Sequence, residues 1–289
     1  MQSAATRSAE VHIGDLVFEC DVAGTVDAEL VLLLHGFPQT SYTWRHALPA
    51  LAGAGFLAVA PNQRGYSPRA RPTQIADYAI DALIGDALAI ADQFGAERFH
   101  LVGHDWGGQL AWLIAARHPQ RLKSLSVLSR PHPAAFSAAM QKDAAQAQRS
   151  KHHAAFQNPE MARQLLENDA ERLRATLALW GVAPSDIEVY LTRLRSEAAL
   201  DAALNWYRAG RSAASTALGA DVPAVSVPTL YIWGDADSAV GQFAAEGTAR
   251  YVSPETYQFL PLPGAGHCLT DQVGARVTQA LLAHITKHR

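Results

Sequence analysis

The sequence predicts an α/β protein with a mostly parallel central sheet, helices on both faces of the sheet, and an inserted all-helical segment. Short apolar runs of strand length alternate with stretches of helical periodicity, as expected for a parallel sheet covered on both sides. The alternation stops from about residue 131 to about residue 222, where the patterns are mostly helical. One strand also runs directly into a helix through a tight, glycine-flanked turn.

The predicted elements define the domain organisation. Leu30–Leu34 is apolar throughout, which is typical of a strand buried on both faces. The other predicted strands are 11–21 (a pair), 56–60, 99–102, 122–128, 227–233 and 256–260, and the predicted helices are 43–54, 75–94, 106–118, 239–251 and one from about Asp271. We therefore predict a core domain formed by residues 1–130 and 223–289, and a helical cap, residues 131–222, inserted after the strand at 122–128.

The composition argues against several classes of protein. The chain has 289 residues, of which 49% are hydrophobic, and can bury a large core. Its net charge is −3 and its basic residues are scattered, so the footprint of a nucleic-acid binder is absent. The first residues, MQSAATRSAE, contain no apolar segment typical of a secretory signal, and no apolar run approaches the length of a membrane span. Cys20 and Cys268 form neither a disulfide framework nor a metal-type spacing. We expect a cytoplasmic protein without metal or cofactor that acts on a small molecule.

The tight turn is Val102-Gly103-His104-Asp105-Trp106-Gly107-Gly108, with glycines two residues on either side of Asp105. Such a turn strains its central residue and projects that side chain above the sheet, beside a helix N-terminus that favours an anion. The familiar hydrolase pattern G-x-S-x-G has serine at the centre, whereas a carboxylate needs no base to ionise it. Asp105 is therefore predicted to attack an electrophilic sp³ carbon, as in an epoxide or an alkyl halide, and to form an ester.

Hydrolysis of this ester requires a histidine base and an acid that orients it, and the expected chain order is nucleophile, acid, histidine. His267, in the segment Gly264-Ala265-Gly266-His267, follows the last predicted strand and is the candidate base. Asp235 and Asp237 both follow the preceding strand, and either is a candidate for the acid. Both groups lie where open α/β sheets place their chemistry, just beyond the carboxyl ends of strands.

A second loop, His35-Gly36-Phe37-Pro38, directly follows a central strand. A turn there can aim the backbone N–H of Phe37 at the same point as the N–H of Trp106. We predict that these two donors form an oxyanion hole for the intermediate of ester hydrolysis. His35 itself is predicted to support the loop and not to catalyse.

These residues resemble the α/β-hydrolase-fold epoxide hydrolases over nearly the whole chain. The matching segments are HGFPQTSYTWRH (35–46), NQRGYSP (62–68), VGHDWGG (102–108), a G-x-x-D after a late strand, and GAGH near the end. The resemblance implies that the acid is Asp237, the last residue of G-x-x-D, and that the Phe37–Pro38 peptide bond is cis. It also implies that Tyr207, in Asn205-Trp206-Tyr207-Arg208, donates a hydrogen bond to the epoxide oxygen, where charge develops as the ring opens.

The family usually has a second donor tyrosine, and this sequence departs from that pattern. Matching Phe156-Gln157-x-Pro159 to the family segment places His152 at the second position, with His153 as the alternative. The resemblance implies that this histidine donates the second hydrogen bond, as in relatives with a His/Tyr pair.

Two further functions remain open at this point. The core motifs are shared in part with haloalkane dehalogenases, in which the same aspartate displaces a halide that a tryptophan helps to bind; Phe37 here occupies the position where those enzymes often have Asn. The other alternative is a non-catalytic binding protein on the same fold. The candidate residues for the wall of the substrate pocket are Trp106, Phe37, Trp180, Phe136 and Phe156.

Overall fold

The computed structural model describes residues 5–210 and 222–289, and its strands form one mostly parallel sheet. The strands are β1 (Arg7–Ile13), β2 (Leu16–Ala23), β3 (Glu29–Leu34), β4 (Phe56–Pro61), β5 (Phe99–His104), β6 (Leu122–Leu128), β7 (Thr229–Gly234) and β8 (Tyr257–Leu262). Their order across the sheet is β1-β2-β4-β3-β5-β6-β7-β8. Strand β2 is antiparallel to β1 and β4, and the remaining neighbours are parallel.

Helices connect the parallel strands. They are α1 (Ala47–Gly53), α2 (Ile80–Gln93), α3 (Trp106–Arg117), α4 (Pro133–Lys142), α5 (Ala144–Arg149), α6 (His152–Ala155), α7 (Met161–Leu179), α8 (Pro184–Leu194), α9 (Glu197–Ala209), α10 (Gln242–Gly247), α11 (Leu269–Gln272) and α12 (Gly274–Lys287). Short 3₁₀ turns occur at Ser41–Trp44, Ile75–Tyr78, Pro119–Arg121, Thr248–Tyr251 and Pro254–Thr256. No helix within the described ranges is long and apolar enough to cross a membrane.

The predicted helix at 75–94 is interrupted near its start. A 3₁₀ turn at Ile75–Tyr78 is followed by Ala79 in an extended conformation, and α2 begins only at Ile80. The carbonyl oxygen of Asp77 accepts a hydrogen bond from the Arg64 guanidinium at 2.7 Å. Because this carbonyl oxygen is bonded to Arg64, it is not available for the regular hydrogen bonding of an α-helix. The α-helix therefore begins later than the helical pattern in the sequence predicts.

Strand β3 shows why the central strands are apolar throughout. Leu32 and Leu34 face one hydrophobic core, which includes residues of α2 and α3, whereas Val31 and Leu33 face a second core with α1 and α12. A parallel strand covered by helices on both sides needs apolar residues at every position. The two helical layers therefore leave the carboxyl ends of the strands as the open edge of the sheet.

Between β6 and β7 the described elements are helices, α4 to α9. Helix α7 is interrupted at Glu167–Ala170, where three consecutive residues have positive φ angles of 52°, 57° and 59°. The predicted cap also contains residues 211–221, which lie outside the described residues.

Candidate active site

Asp105 lies at the turn between β5 and α3 with φ 51° and ψ −115°, a conformation that non-glycine residues rarely adopt. Close backbone contacts enforce this turn. A Cβ atom on Gly103 would lie 2.3 Å from the carbonyl oxygen of Gly107, and one on Gly36 would lie 2.4 Å from the Asp105 Cβ. The glycines predicted from the motif are therefore required by close approach of the chain, and they hold Asp105 above the sheet.

His267 lies between two carboxylates. Its Nε2 atom is 3.6 Å from Asp105 Oδ2, and its Nδ1 atom is 2.9 Å from Asp237 Oδ2. His267 and Asp237 are both 2% exposed, and the Asp105 side chain is 14% exposed. The fold thus brings together Asp105, Asp237 and His267, although 132 positions separate the first two and 30 separate the last two. The histidine lies between the two carboxylates, which is the arrangement expected of a nucleophile, a base and an orienting acid.

Of the two candidate acids, only Asp237 contacts His267. Its Oδ1 atom also accepts hydrogen bonds from the backbone N–H groups of Ala239 at 2.7 Å and Val240 at 3.0 Å. Asp235 is exposed and accepts a hydrogen bond from the N–H of Gly264 at 2.7 Å. Asp235 therefore stabilises the loop that carries the histidine, whereas Asp237 is oriented by its own turn towards the imidazole.

Two residues that the sequence analysis missed hold the backbone of His267. The carbonyl oxygen of His267 accepts hydrogen bonds from His104 Nε2 at 2.9 Å and from Ser129 Oγ at 2.8 Å. Since a carbonyl only accepts, His104 carries its proton on Nε2. His104 is adjacent to Asp105 in the motif, but its partner lies more than 160 residues away, and no local pattern indicates the contact.

The three groups form a coupled set of charges. Burial alone would lower the pKa of His267, but the Asp237 carboxylate and the hydrogen bond and charge of Asp105 raise it to about 10. Burial would likewise raise the pKa of Asp105, but the hydrogen bond and charge of His267 hold it well below its usual range. At neutral pH the resting site therefore contains an Asp105 carboxylate and a histidinium.

The loop after β3 supplies a backbone donor to Asp105. The N–H of Phe37 donates to Asp105 Oδ1 at 3.0 Å, and the Phe37–Pro38 peptide bond is cis, as predicted. Trp106 is the first residue of α3, directly after Asp105. The His35 ring accepts a hydrogen bond from the N–H of Gln63 on Nε2 at 3.2 Å, and burial lowers its pKa to about 4. His35 is therefore a neutral residue of the loop scaffold.

Tyr207, on α9, is buried within a cluster of aromatic rings. The centroid of its ring lies 4.8 Å from that of Phe156, 5.1 Å from that of Trp106 and 5.6 Å from that of Phe37. Burial and the Asp105 charge raise its pKa well above the ordinary value. Tyr207 is consequently a neutral phenol throughout the physiological pH range, with a proton to donate.

The two histidines of α6 lie beside Tyr207, with ring centroids 6.2 Å away for His152 and 5.4 Å away for His153. His152 Nδ1 is 3.1 Å from the carbonyl oxygen of Arg149, so Nδ1 carries the proton of the neutral ring. The ring of His153 stacks on that of Phe136 at 6.3 Å. Burial lowers the pKa of His152, and it lowers that of His153 to about 3.

A cavity of about 350 Å³ lies between the sheet edge and the helices. Asp105, His267, Tyr207 and His152 line it together, whereas His153 does not. Its remaining lining residues are Phe37, Pro38, Arg149, Ala155, Phe156, Met161, Leu165, Arg172, Leu173, Thr176, Leu179, Trp180, Ser238 and Ala239. Such a volume, with mostly apolar walls and a few convergent polar groups, is typical of a small-molecule site.

Three of the five predicted wall residues, Phe37, Phe156 and Trp180, line this cavity. The other two, Trp106 and Phe136, are not among its lining residues. The ring of Trp106 packs against Trp206 at 5.9 Å as well as against Tyr207, and Phe136 packs against the Arg130 guanidinium at 4.3 Å. Both aromatic residues therefore support the wall from behind.

The sequence analysis also missed the contribution of α7 to the wall. Met161 and Leu165 precede its interruption, and Leu173, Thr176 and Trp180 follow it at helical spacing. The bend in α7 lets both parts of the helix face the same cavity. Periodicity alone indicated an amphipathic helix and did not reveal which side faces the cavity.

No cluster of three potential metal ligands occurs within residues 5–210 and 222–289.

Comparison with known proteins identifies the family. The family model described as the alpha/beta hydrolase fold matches residues 29–272. The AB hydrolase superfamily protein YfhM of Bacillus subtilis is 32% identical over 281 residues, which cover 95% of this chain and 96% of that protein. Epoxide hydrolase A of Mycobacterium tuberculosis is 33% identical over 303 residues, with 91% and 92% of the two chains covered.

Solved structures agree with this assignment. The crystal structure of epoxide hydrolase A from Mycobacterium thermoresistibile superposes with a TM-score of 0.82 at 26% identity, and the match covers 98% of each chain. The likeness extends over the sheet and the inserted helices alike because nearly all of both chains is matched. This chain therefore belongs to the α/β-hydrolase family, in the group that contains the epoxide hydrolases, and it is a hydrolytic enzyme.

Proposed function

We propose that this enzyme hydrolyses an epoxide to a vicinal diol through a covalent ester on Asp105. The observation that carries the proposal is that two groups line the same cavity: the Asp105 carboxylate on the sheet side and a neutral phenol, Tyr207, on the helical side. An epoxide needs both groups, since its leaving group is an alkoxide that remains attached to the carbon skeleton. The relatives named as epoxide hydrolases support the same substrate class.

Ring opening is the first step. Asp105 Oδ1 is held by the N–H of Phe37 at 3.0 Å, so Oδ2 is the oxygen that attacks. Its lone pair forms a bond to an epoxide carbon while the carbon–oxygen bond of the ring breaks and the electron pair passes to the epoxide oxygen. Tyr207 donates its phenolic proton to this oxygen. The product is a hydroxyalkyl ester in which Oδ1 is the carbonyl oxygen.

Formation of the ester changes the role of His267. The hydrogen bond and charge of Asp105 help to raise the pKa of His267 to about 10, and both are lost when the carboxylate becomes a neutral ester. The pKa of the histidine therefore falls, and its proton restores the phenol of Tyr207 through solvent. The neutral imidazole that remains is the base required for the second step.

Ester hydrolysis completes the cycle. His267, oriented by Asp237, accepts a proton from water, and the resulting hydroxide adds to the ester carbonyl carbon. The charge on Oδ1 is stabilised by the N–H groups of Phe37 and Trp106 in the predicted oxyanion hole. The intermediate collapses with loss of the diol alkoxide, which takes the proton from His267. The Asp105 carboxyl group then returns its proton to the imidazole, which restores the resting ion pair.

His152 is the proposed second donor to the epoxide oxygen. Its lining of the cavity favours it over His153. In the neutral ring, Nδ1 donates to the Arg149 carbonyl oxygen and leaves Nε2 as an acceptor. His152 therefore donates from Nε2 only when both nitrogens are protonated, and Tyr207 carries ring opening when it is neutral.

The helices between β6 and β7 form the proposed cap, with boundaries at residues 131 and 222. In the described part of this segment, α6, α7 and α9 supply the wall opposite Asp105. A wall of this kind excludes bulk water from the reacting carboxylate and determines which epoxides enter.

Haloalkane dehalogenation is the competing chemistry, because it uses the same nucleophile. It is less well supported here, since Phe37 stands at the position where haloalkane dehalogenases often have an Asn that helps to bind the halide. Product analysis with epibromohydrin separates the two reactions, because this compound has both an epoxide ring and a carbon–bromine bond. Bromopropanediol without free bromide is expected from the enzyme, and no product is expected from Asp105→Ala.

Glycidol together with bromide would instead assign the enzyme as a dehalogenase and leave Tyr207 as a structural residue. Asp235→Asn is the matched control, because this exposed carboxylate contacts Gly264 and not the cavity. It should retain turnover within about twofold of the parent, because the asparagine Oδ1 can still accept the hydrogen bond from Gly264 and so preserve the loop.

A further inference from the structure

Arg130 is a partly buried arginine close to the active site, and no carboxylate lies within 4 Å of its guanidinium among the described residues. Its Nε donates to Gln109 Oε1 at 2.9 Å, which is the only hydrogen bond of the guanidinium within residues 5–210 and 222–289. Two other partly buried arginines differ, since Arg45 pairs with Asp186 and Asp271, and Arg64 pairs with Asp86, all at 2.7 Å. Burial of a guanidinium without such a partner lowers the stability of the fold. The presence of Arg130 at this position therefore indicates another role.

The chain geometry places this cation beside the aromatic residues that support the cavity wall. Ser129, the preceding residue, has φ 52°, a strained conformation for serine, and donates to the His267 carbonyl oxygen. The Arg130 guanidinium then lies 4.3 Å from the centroid of the Phe136 ring and 6.0 Å from that of Trp106. Trp106 also contacts Tyr207, at 5.1 Å between ring centroids, so one indole touches both the cation and the phenol donor.

The charge of Arg130 acts on the groups of the first step. Burial is the largest influence on each of these groups. The Arg130 charge is a smaller influence, which lowers the pKa of Asp105 less than His267 and His104 do and also lowers the pKa of Tyr207 and of both α6 histidines. The charges that shift the pKa of His267 are those of Asp237 and Asp105. The charge of Arg130 therefore reaches the groups proposed for ring opening.

We propose that Arg130 is a positioning residue for ring opening: held behind Trp106, its positive charge stabilises the negative charge that develops at the epoxide oxygen and Tyr207. This inference rests on the proposed function, since it assumes that Tyr207 faces an epoxide oxygen. In the resting enzyme the Asp105 carboxylate is an attractive charge for Arg130. When Asp105 is alkylated, that charge moves to the oxygen beside Tyr207, and Arg130 then stabilises it there.

The test is a rapid-quench, single-turnover measurement in which intact-protein mass follows the alkylated enzyme over time. Arg130→Gln removes the charge and should slow ester formation about tenfold, with ester hydrolysis unchanged. Arg130→Lys keeps the charge and should remain within about threefold of the parent. Arg117→Gln, a surface arginine that pairs with Asp81, is the matched control and should not change either rate.

A second readout distinguishes electrostatics from packing. Epoxides with an electron-withdrawing substituent, such as epibromohydrin, open to a less basic alkoxide and need less stabilisation than 1,2-epoxyhexane. The deficit of Arg130→Gln should therefore be smaller with epibromohydrin. Arg130→Met, which retains a side chain that packs on Phe136, provides a second neutral variant should the glutamine variant fold poorly.

Equal ring-opening rates for the parent and both neutral variants would overturn this inference, as would an equal deficit for lysine and glutamine. In either case the diol produced by the parent enzyme would still support the proposed function. Absence of diol from the parent enzyme itself would overturn both.

Discussion

The two walls of the cavity are held in place by different kinds of interaction. On the sheet side, Asp105, Asp237 and His267 follow the ends of strands, and close backbone contacts or backbone hydrogen bonds position each of them. On the helical side, Tyr207 and His152 are positioned by aromatic packing. The comparison indicates that substitutions on the sheet side disturb the backbone that positions the reacting groups. On the helical side, side chains can be exchanged without moving the backbone, and such exchanges would alter which substrates fit.

The strictest test of the sheet wall is Gly107→Ala. A Cβ atom there would lie 2.3 Å from the carbonyl oxygen of Leu34 and cannot be accommodated without moving the backbone. We expect a loss of about 3 kcal/mol in the free energy of unfolding and loss of turnover. Urea denaturation measures the first effect, and Gly85→Ala is the control. A Cβ on Gly85, inside α2, meets nothing within 4 Å, so alanine there should stabilise by about 0.5–1 kcal/mol. Equal stability of the two variants would refute the backbone argument.

His267→Gln tests the division of labour on the sheet side. In the proposed mechanism, ring opening needs Asp105 and Tyr207, whereas hydrolysis of the ester needs the base. Steady-state turnover should fall by about 10³-fold or more. Mass spectrometry should find a protein heavier by one substrate, and recovery of only the free protein after exposure to substrate would contradict the two-step scheme.

Tyr207→Phe probes the helical wall and should have a smaller effect. The ring retains its contacts with Phe156 and Trp106, but the proton donor is lost. Ring opening should slow by about 10²-fold, as typical for removal of a general acid, with the rate of ester hydrolysis preserved. Tyr42→Phe, which removes a hydroxyl bonded to Asp186 outside the cavity lining, serves as the control. A fall in ester hydrolysis instead would show that the phenol does not act on the epoxide oxygen.

His152→Gln should have the smallest effect, and one that depends on pH. Burial lowers the pKa of His152 below 6.5, and its donation from Nε2 requires the protonated ring. Its contribution to ring opening is therefore present below that pKa and is lost as pH rises through it. We expect a deficit that grows as the pH falls below 6.5, up to about tenfold, and that is absent at pH 8.

His153→Gln is the matched variant, since His153 is adjacent but does not line the cavity. It should change the rate by less than about twofold at either pH. A larger deficit for His153→Gln than for His152→Gln would reverse the assignment of the second donor.

Much of the sheet side could be predicted from the sequence because the relevant signals are local. The glycines around Asp105, the apolar strand before it and the late G-x-x-D and GAGH segments each describe a short stretch of backbone, and the structure brings Asp105, Asp237 and His267 together. Resemblance to a family was still needed to choose between Asp237 and Asp235. Both acids follow the same strand, and only the turn at Ala239 and Val240 directs one of them to the imidazole.

The helical side was less predictable because its geometry depends on contacts between distant residues. The periodicity of α7 indicated a helix but not its interruption at Glu167–Ala170, which lets both halves face the cavity. Trp106 and Phe136 were predicted as wall residues, but they pack behind the wall, where they contact Tyr207, His153 and Arg130. The sequence does not distinguish an aromatic residue that lines a cavity from one that packs behind its lining.

The sequence by itself therefore determined the fold class and the turn that carries Asp105, and it suggested the carboxylate proposed as nucleophile, since each depends on residues close together in the chain. Tertiary structure alone decided which nitrogen of His152 holds a proton, which residues hold the His267 carbonyl oxygen, and the position of Arg130 beside Trp106 without a carboxylate partner. The physical reason is the distance along the chain between the residues that determine each property. Backbone conformation follows from neighbouring side chains, whereas electrostatic and packing environments are sums over residues that only the folded chain brings together.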